Sequence, residues 1–290
     1  MARKTVKIGN TLVGEGEPCY VVAEIGINHN GSVETAKKII KVSAGAGCNA
    51  VKFQKRTVDV VYTPEELARP RENPFGVTNG DLKCGLEFGL EEYKEIDQYC
   101  KELEIDWFAS CWDEASVDFI EHFNPSCYKI ASASLTDDEL LRHHRKYGRP
   151  IILSTGMSTI EEIEHAIEVL GEGDLIVLHS TSTYPAQVEE LNLKMIHTLK
   201  EKYDLPIGYS GHESGLATAF AAAVMGAAMI EKHVTLDRSM WGSDQAASIE
   251  PQGMNRLVDY ISQWQDSLGN GIKKVYESEI PIREKLRRKG

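Results

Sequence analysis

The sequence predicts a (β/α)₈ TIM barrel, in which eight parallel strands form a cylinder and helices surround it. Short apolar segments alternate with amphipathic segments eight times, and such alternation over ~250 residues is typical of this fold. A chain of 290 residues can enclose one core of that size. A doubly wound parallel sheet is the alternative. It lacks support, because neither the GxGxxG nor the GxxxxGK[ST] motif is present.

The predicted strands are almost continuously apolar, because a barrel strand is covered on both faces. They span Tyr20–Ile25, Ala50–Gln54, Asp106–Ser110, Cys127–Ala131, Pro150–Ser154, Leu175–His179, Pro206–Tyr209 and Ala228–His233. The predicted helices span Val33–Ala46, Glu91–Glu102, Glu114–Phe123, Asp137–Tyr147, Thr159–Leu170, Glu189–Tyr203, Leu216–Met225 and Gly253–Leu268. Ser32 and Ser158 stand where a hydroxyl can cap a helix, and Gly148 to Pro150 should end the fourth one.

Three segments lie outside this alternation. The first 18 residues, with a turn at Gly9–Asn10, predict a β-hairpin that closes the barrel floor. The insert 56–89 after the second strand holds three prolines and many polar residues, which indicates a lid or rim over the site. We assign residues 1–278 to the barrel domain. The basic segment 279–290 is predicted to be a tail or the start of a linker.

The composition narrows the function. A net charge of −12 makes nucleic acid and an anionic membrane surface poor partners. There is no apolar run of about 18 residues to span a membrane, and no secretion signal begins the sequence, so a cytoplasmic location is expected. The six cysteines are spread without a CxxC pair, which argues against a zinc ribbon or a disulfide scaffold.

Polar and ionisable residues stand at the carboxyl ends of the predicted strands, where barrel enzymes place their sites. They are Glu24, Lys52, Gln54, Ser110, Lys129, Ser132, Ser154, Thr155, His179, Ser180, Ser182, Ser210, His212, Glu231 and His233. Burying so many polar groups is costly unless a ligand or water satisfies them. The sequence therefore predicts a binding site at this end of the barrel.

Two kinds of chemistry follow from these residues. Lys52 and Lys129, together with the serine hydroxyls, suit an anion that carries both phosphate and carboxylate. His212 and His233 come from adjacent strands, so their imidazoles can meet on one divalent ion such as Mn²⁺, Fe²⁺, Co²⁺ or Zn²⁺. The alternative for either histidine is a hydrogen-bonded core residue. Glu24 is available as a base or to orient water.

Eight segments together resemble the sialic acid synthase family, which comprises N-acetylneuraminate synthases and their 9-phosphate-forming relatives. They are AEIGINHNGS at 23–32, VKFQK at 51–55, YKIASAS at 128–134, ILSTGMS at 152–158, HSTSTYP at 179–185, IGYSGHESG at 207–215, IEKHVTLD at 230–237 and GSDQAASIEP at 242–251. The likeness extends from about residue 5 to 288, with the motifs in the family's order and spacing.

The resemblance implies a metal-dependent condensation of phosphoenolpyruvate with an open-chain mannosamine-type aldose, N-acetylmannosamine or its 6-phosphate above all. The products are a nine-carbon 2-keto acid and phosphate. It implies that His212 and His233 bind Mn²⁺, with Mg²⁺ as a further option, and that Glu24 and Asp244 act on water and the sugar. Residues expected to hold or flank phosphoenolpyruvate are Lys52, Lys129, Ser132, Ser154, Ser182, Tyr184 and Ser210, and Gln54 and Ser110 join them at the strand ends. A homodimer is expected.

Two alternatives stay open. One is a related synthase that uses another aldose, such as mannose or a diamino-hexose. The other is a weakly catalytic barrel that needs a partner domain, because family members usually continue into a small antifreeze-protein-like domain and this sequence stops at Gly290. A natural barrel-only member, a shortened chain and a second domain on a separate chain are all compatible with that end point.

Overall fold

The computed structural model describes residues 5–288 and contains a closed barrel of eight parallel strands. The barrel strands are β3 (Tyr20–Gly26), β4 (Ala50–Lys55), β7 (Asp106–Cys111), β8 (Tyr128–Ile130), β9 (Ile151–Ser154), β10 (Leu175–Ser180), β11 (Ile207–Gly211) and β12 (Met229–His233). They pair in chain order, and β12 pairs back with β3. The predicted fold class is therefore confirmed.

Eight helices follow the barrel strands: α1 (Val33–Gly45), α5 (Leu90–Glu102), α6 (Glu114–Glu121), α7 (Asp138–Arg145), α8 (Ile160–Leu170), α9 (Met195–Lys202), α10 (Ala217–Val224) and α11 (Pro251–Ser267). The prediction for α9 began too early, because Val188–Glu190 forms a separate 3₁₀ turn. Ser32 caps α1 as predicted by accepting from the Thr35 amide at 3.2 Å. The predicted cap Ser158 is wrong by one residue, since the hydroxyl of Thr159 caps α8.

The floor of the barrel is closed by a hairpin of β1 (Val6–Ile8) and β2 (Thr11–Val13), which pair antiparallel. Val6, Ile8 and Val13 are fully buried in one cluster with the apolar side chains of the barrel lumen. The hairpin prediction is confirmed, apart from residues 1–4, which lie outside the described residues. Polar side chains in the lumen therefore gather at the opposite, carboxyl end of the strands.

The insert after β4 contains α2 (Val58–Val61), α3 (Pro64–Leu67), a hairpin of β5 (Pro70–Asn73) and β6 (Gly76–Thr78), and α4 (Asn79–Leu86). Its beginning is tied to its end, since the Arg56 amide donates to Glu87 Oε2 at 3.1 Å. Thr57 donates from both its amide and its hydroxyl to Asp113. The insert is thereby anchored at the carboxyl end of β4.

The chain continues past α11 into a 3₁₀ turn at Glu277–Glu279 and α12 (Ile280–Leu286), and residues 266–288 are exposed throughout. Lys289 and Gly290 of the predicted basic segment lie outside the described residues. Between residues 5 and 288, no helix combines the length and apolar character needed to cross a bilayer. All six cysteines are free.

Candidate active site

The carboxyl ends of the strands surround a cavity of about 180 Å³. Of the thirteen predicted site residues, those lining it are Glu24, Lys52, Gln54, Ser110, Lys129, Ser132, Ser154, Ser182, Tyr184, Ser210 and His212. His233 stands beside the cavity, with its ring 5.5 Å from that of His212 between centroids. Asp244 Oδ2 lies 3.8 Å from His233 Nδ1. The structure therefore brings all thirteen to one end of the barrel.

A buried charge network forms the base of this cavity. Lys52 Nζ lies 3.0 Å from Glu231 Oε1 and 3.3 Å from Glu24 Oε2, and all three side chains are at most 5% exposed. Burial on its own would lower the pKa of Lys52, but Glu231 and Glu24 outweigh it and raise the pKa. Lys52 is therefore held as a cation.

Lys129 completes the network from the other side. Its Nζ donates to Ser154 Oγ at 2.6 Å and lies 3.8 Å from Glu231 Oε1. Burial lowers the pKa of Lys129 to about 8, against the attraction of Glu231. Burial would raise the pKa of Glu231, but Lys129 and Lys52 outweigh it and lower the pKa to about 2. Glu231 is thus an ionised carboxylate shared by two lysines.

Glu24 differs from Glu231 although both are buried. Burial raises the pKa of Glu24 to about 7, with Lys52 opposing the shift and Glu231 adding to it. Gln54 Nε2 donates to Glu24 Oε1 at 3.0 Å. A carboxyl group that titrates near neutrality can both accept and return a proton, which is what a general acid–base residue requires.

Part of the cavity wall is made of serine hydroxyls and of the backbone at Gly156, where no side chain would fit. The Gly156 amide donates to Ser132 Oγ at 2.9 Å, and a Cβ at Gly156 would lie 2.1 Å from Ser182 Oγ. The hydroxyl of Ser182 is buried and has no hydrogen-bond partner among the described residues. An oxygen-rich anion would supply that partner.

The two predicted metal ligands are poised to act as neutral imidazoles. His212 Nδ1 donates to the Thr181 carbonyl at 2.7 Å, which leaves Nε2 as the lone-pair nitrogen. Burial lowers the pKa of both His212 and His233 to about 3. Nδ1 of His233 is buried without a hydrogen-bond partner among residues 5–288.

This arrangement fits a divalent ion held by two nitrogens, with water and substrate oxygens completing its shell. Within the described part of the chain, no cluster of three or more His, Cys, Asp or Glu side chains could hold a metal by itself.

Other histidines from the polar segments are structural. His179 Nε2 contacts the Leu191 carbonyl at 2.7 Å, and His29 stacks on Phe88 with ring centroids 4.1 Å apart. His179 points away from the lumen because successive strand residues face opposite sides. The same rule sends Lys232 outward, where its Nζ lies 3.2 Å from Glu213 Oε1 in a fully buried pair.

Sequence reasoning gave no role to three residues of the site. Glu231 was visible as a strand-end carboxylate, but its position between two lysines depends on the barrel cross-section. Trp112 lines the cavity, and the Arg56 guanidinium lies 4.3 Å from the centroid of the Trp112 ring. Cation–π contacts of this kind are common in proteins. Arg56 and Trp112 are 56 positions apart in the sequence, however, and nothing in that spacing predicts their contact.

Comparison with known proteins adds to this geometry. Residues 39–273 match the model of the NeuB family. The chain is 35% identical over 279 residues to the N-acetylneuraminate-9-phosphate synthase of Mus musculus, covering 94% of this chain and 78% of that protein. It is also 35% identical over 285 residues to the N,N'-diacetyllegionaminic acid synthase of Legionella pneumophila, covering 95% and 80%. A crystal structure of an N-acetylneuraminic acid synthetase from Leptospira borgpetersenii superposes with a TM-score of 0.85 at 31% identity, covering 99% of each chain.

Proposed function

Because the chain belongs to the NeuB family, we propose that it is a sugar-acid synthase that condenses phosphoenolpyruvate with an open-chain N-acylmannosamine-type aldose. The products of this reaction are a nine-carbon 2-keto sugar acid and inorganic phosphate. The observation that carries the proposal is the pair of buried lysines around one carboxylate, in a cavity where the Ser182 hydroxyl has no hydrogen-bond partner among the described residues.

The anion nest, defined as Lys52, Lys129, Ser132, Ser154 and Ser182, suits phosphoenolpyruvate. In a protein of net charge −12, buried cations are what can attract a substrate with phosphate and carboxylate groups. Ser154 fixes the Lys129 ammonium, so the charge is already in place before the substrate arrives. Such fixed charges stabilise negative charge that develops on the departing phosphate.

His212 and His233 would hold the divalent ion, with Mn²⁺ as the proposed metal and Co²⁺, Fe²⁺, Mg²⁺ or Zn²⁺ as alternatives. When bound, it would supply Lewis-acid polarisation of the sugar aldehyde. The residues themselves place the reactants. Tyr184 lies over both imidazoles, with ring centroids 4.3 Å from His212 and 5.8 Å from His233, so it limits access to the mouth from that side.

In the proposed reaction, carbon 3 of phosphoenolpyruvate attacks the aldehyde carbon and a carbon–carbon bond forms, while the π electrons of the aldehyde pass to its oxygen, which takes up a proton to become a hydroxyl. Positive charge then develops at carbon 2, where water adds, and the phosphate leaves with its bridging oxygen. Glu24, with a pKa of about 7, can take the proton from the attacking water. Asp244, near His233, is placed to contact the sugar.

The identity of the sugar is the finer part of the proposal. N-acetylmannosamine or its 6-phosphate is preferred because of the resemblance to N-acetylneuraminate and 9-phosphate synthases. A diamino-hexose is the runner-up, since the Legionella relative is named for a diacetyllegionaminic acid. Assembly as a homodimer and a cytoplasmic location belong to the same proposal, and light scattering of the purified chain tests the first of them.

The experiment is a phosphate-release assay with phosphoenolpyruvate, Mn²⁺ and a panel of aldoses. Phosphoenolpyruvate labelled with ¹⁸O at the bridge should deliver the label to inorganic phosphate, because the cleaved bond is C–O. Label that stays in the keto acid would contradict the mechanism. No phosphate release with any aldose would leave the chain as a weakly catalytic barrel that needs a partner.

A further inference from the structure

A chain of hydrogen bonds connects the insert to Glu24. Arg56, the first residue of the insert, donates from Nη2 to Gln54 Oε1. Gln54 in turn donates from Nε2 to Glu24 Oε1 at 3.0 Å. Arg56 is only 10% exposed in its side chain, and Glu24 is 1% exposed. The three side chains thus form one continuous path from the rim to the cavity.

The chemistry of the two ends fixes the orientation of the amide between them. A guanidinium has only donors and an ionised carboxylate has only acceptors. The Gln54 amide can satisfy both neighbours only when its oxygen faces Arg56 and its NH₂ faces Glu24. Without Arg56, the amide could rotate and present its oxygen to the carboxylate, where two acceptors would oppose each other.

Arg56 is itself held by Trp112 in the cavity wall and by Glu87 at the end of the insert. Its guanidinium stacks on Trp112 at 4.3 Å from the ring centroid, and its Nη1 lies 3.6 Å from Glu87 Oε1 at the end of the insert. Lys55 also contacts Glu87, since its Nζ donates to Glu87 Oε2 at 3.1 Å. Among residues 5–288, the Lys55 ammonium donates to Glu87 and to the Phe88 carbonyl and makes no hydrogen bond with the Gln54 side chain. A substitution of Lys55 therefore separates anchoring of the insert from orientation of the amide.

We propose that Arg56 is a positioning residue that sets the orientation of the Gln54 amide and, through it, the position of the Glu24 carboxylate. This inference rests on the proposed function, in which Glu24 acts on the attacking water. Under this proposal, turnover depends on a hydrogen-bond donor at position 56, and weaker attachment of the insert elsewhere should leave turnover unchanged.

The kinetic test compares Arg56→Met, Arg56→Lys, Gln54→Leu, the double variant Arg56→Met/Gln54→Leu and the control Lys55→Met, with phosphate release as the readout. Arg56→Met should lower kcat by ~10-fold with little change in KM for phosphoenolpyruvate, because a misplaced group costs turnover and not ground-state binding. Arg56→Lys should recover most of the loss. The double variant should lose no more than Gln54→Leu within ~2-fold, since the two residues act in series.

Lys55→Met should keep wild-type kcat. An equal loss in Lys55→Met, or additive losses in the double variant, would overturn the proposal, and thermal melting of each variant shows whether it folds.

A second measurement is independent of turnover. In protein labelled with ¹⁵N-glutamine, the side-chain amide resonances of Gln54 are assigned by their loss in Gln54→Leu. They should shift in Arg56→Met and stay near the wild-type position in Arg56→Lys and Lys55→Met. Unchanged resonances in Arg56→Met would refute the link from Arg56 to Gln54. If the variants show these shifts but the wild-type protein releases no phosphate, the proposed function is contradicted and the link from Arg56 to Gln54 still holds.

Discussion

Lys52 Nζ and Glu231 Oε1 lie 3.0 Å apart in the lumen, although their strands β4 and β12 are separated by β3. The pair therefore joins alternate strands across β3 and does not link hydrogen-bonded neighbours. Lys129 approaches the same oxygen to 3.8 Å. One carboxylate thus offsets part of the charge of two lysines, which keeps both of them close together in a buried site.

The first prediction concerns this shared carboxylate. Glu231→Gln should lower the free energy of unfolding by about 3–5 kcal/mol, because it removes the carboxylate that two buried lysines share and leaves only Glu24 beside Lys52. Urea denaturation measures the loss, and added phosphoenolpyruvate should restore part of it. Glu95→Gln, which removes the exposed partner of Lys37, serves as the control and should stay near wild type. A Glu231→Gln variant as stable as wild type would refute the role assigned to the carboxylate.

The second prediction concerns the anion nest. Lys129→Met, and likewise Lys52→Met, should weaken phosphoenolpyruvate binding by roughly 2–4 kcal/mol, since each removes a desolvated charge-assisted contact. Isothermal titration calorimetry measures the affinity. Lys202→Met, which breaks an ion pair with Glu164 on the surface, is the matched control. Wild-type affinity in both lumen variants would mean that the nest binds something else.

The third prediction concerns Glu24. Glu24→Gln should lower kcat by at least ~10²-fold, because general acid–base catalysis by a positioned carboxyl contributes on that order. Binding of phosphoenolpyruvate should persist, since Lys52 and Lys129 remain. Steady-state kinetics and calorimetry on the same preparation separate the two quantities. Near-normal turnover would leave Glu24 with a structural role.

The fourth prediction concerns the histidine pair. His212→Ala should abolish Mn²⁺ binding and turnover while the fold persists, because only one imidazole would remain for the ion. Removal of the metal with a chelator should stop the wild-type enzyme in the same way. Calorimetric titration with Mn²⁺ is the readout, and His165→Ala, at an exposed residue paired with Asp138, is the control. Wild-type metal affinity in His212→Ala would place the ion elsewhere.

The fifth prediction concerns the pH dependence of stability through Asp113. Burial would raise the pKa of Asp113, but hydrogen bonds from Ser116 and Thr57 outweigh it and hold the pKa below the ordinary value of 3.8. The folded state therefore binds this proton less readily than the unfolded state, and the stabilisation is present above that ordinary value and fades as the pH falls through the lowered pKa.

Asp113→Asn should accordingly be less stable than wild type at pH 7, and the difference should shrink in acid. Urea denaturation at pH 7 and near pH 3 measures it. A difference that stays constant with pH would assign the effect to packing and not to the charge.

Much of the fold followed from the sequence, because barrel strands and helices are specified by local patterns. The apolar run Tyr20–Ala23 and the capping hydroxyl of Ser32 can both be recognised without tertiary information. The exact position of a helix cap is harder to predict, since Thr159 and not Ser158 caps α8. Two adjacent hydroxyls have similar propensities, and the choice between them is made by the backbone angles at the turn.

The gathering of the site residues was also predictable, because parallel strands that close into a barrel bring all their carboxyl ends to one rim. What the sequence by itself determined is therefore the barrel, the end that carries chemistry and the residue types found there. Only the tertiary structure decided which of those residues meet: Glu231 between two lysines, His179 turned away, and Arg56 joined to Glu24 through Gln54. The reason is physical, since strand order fixes neighbours along the sheet, while contacts across the lumen depend on the radius and tilt of the closed barrel.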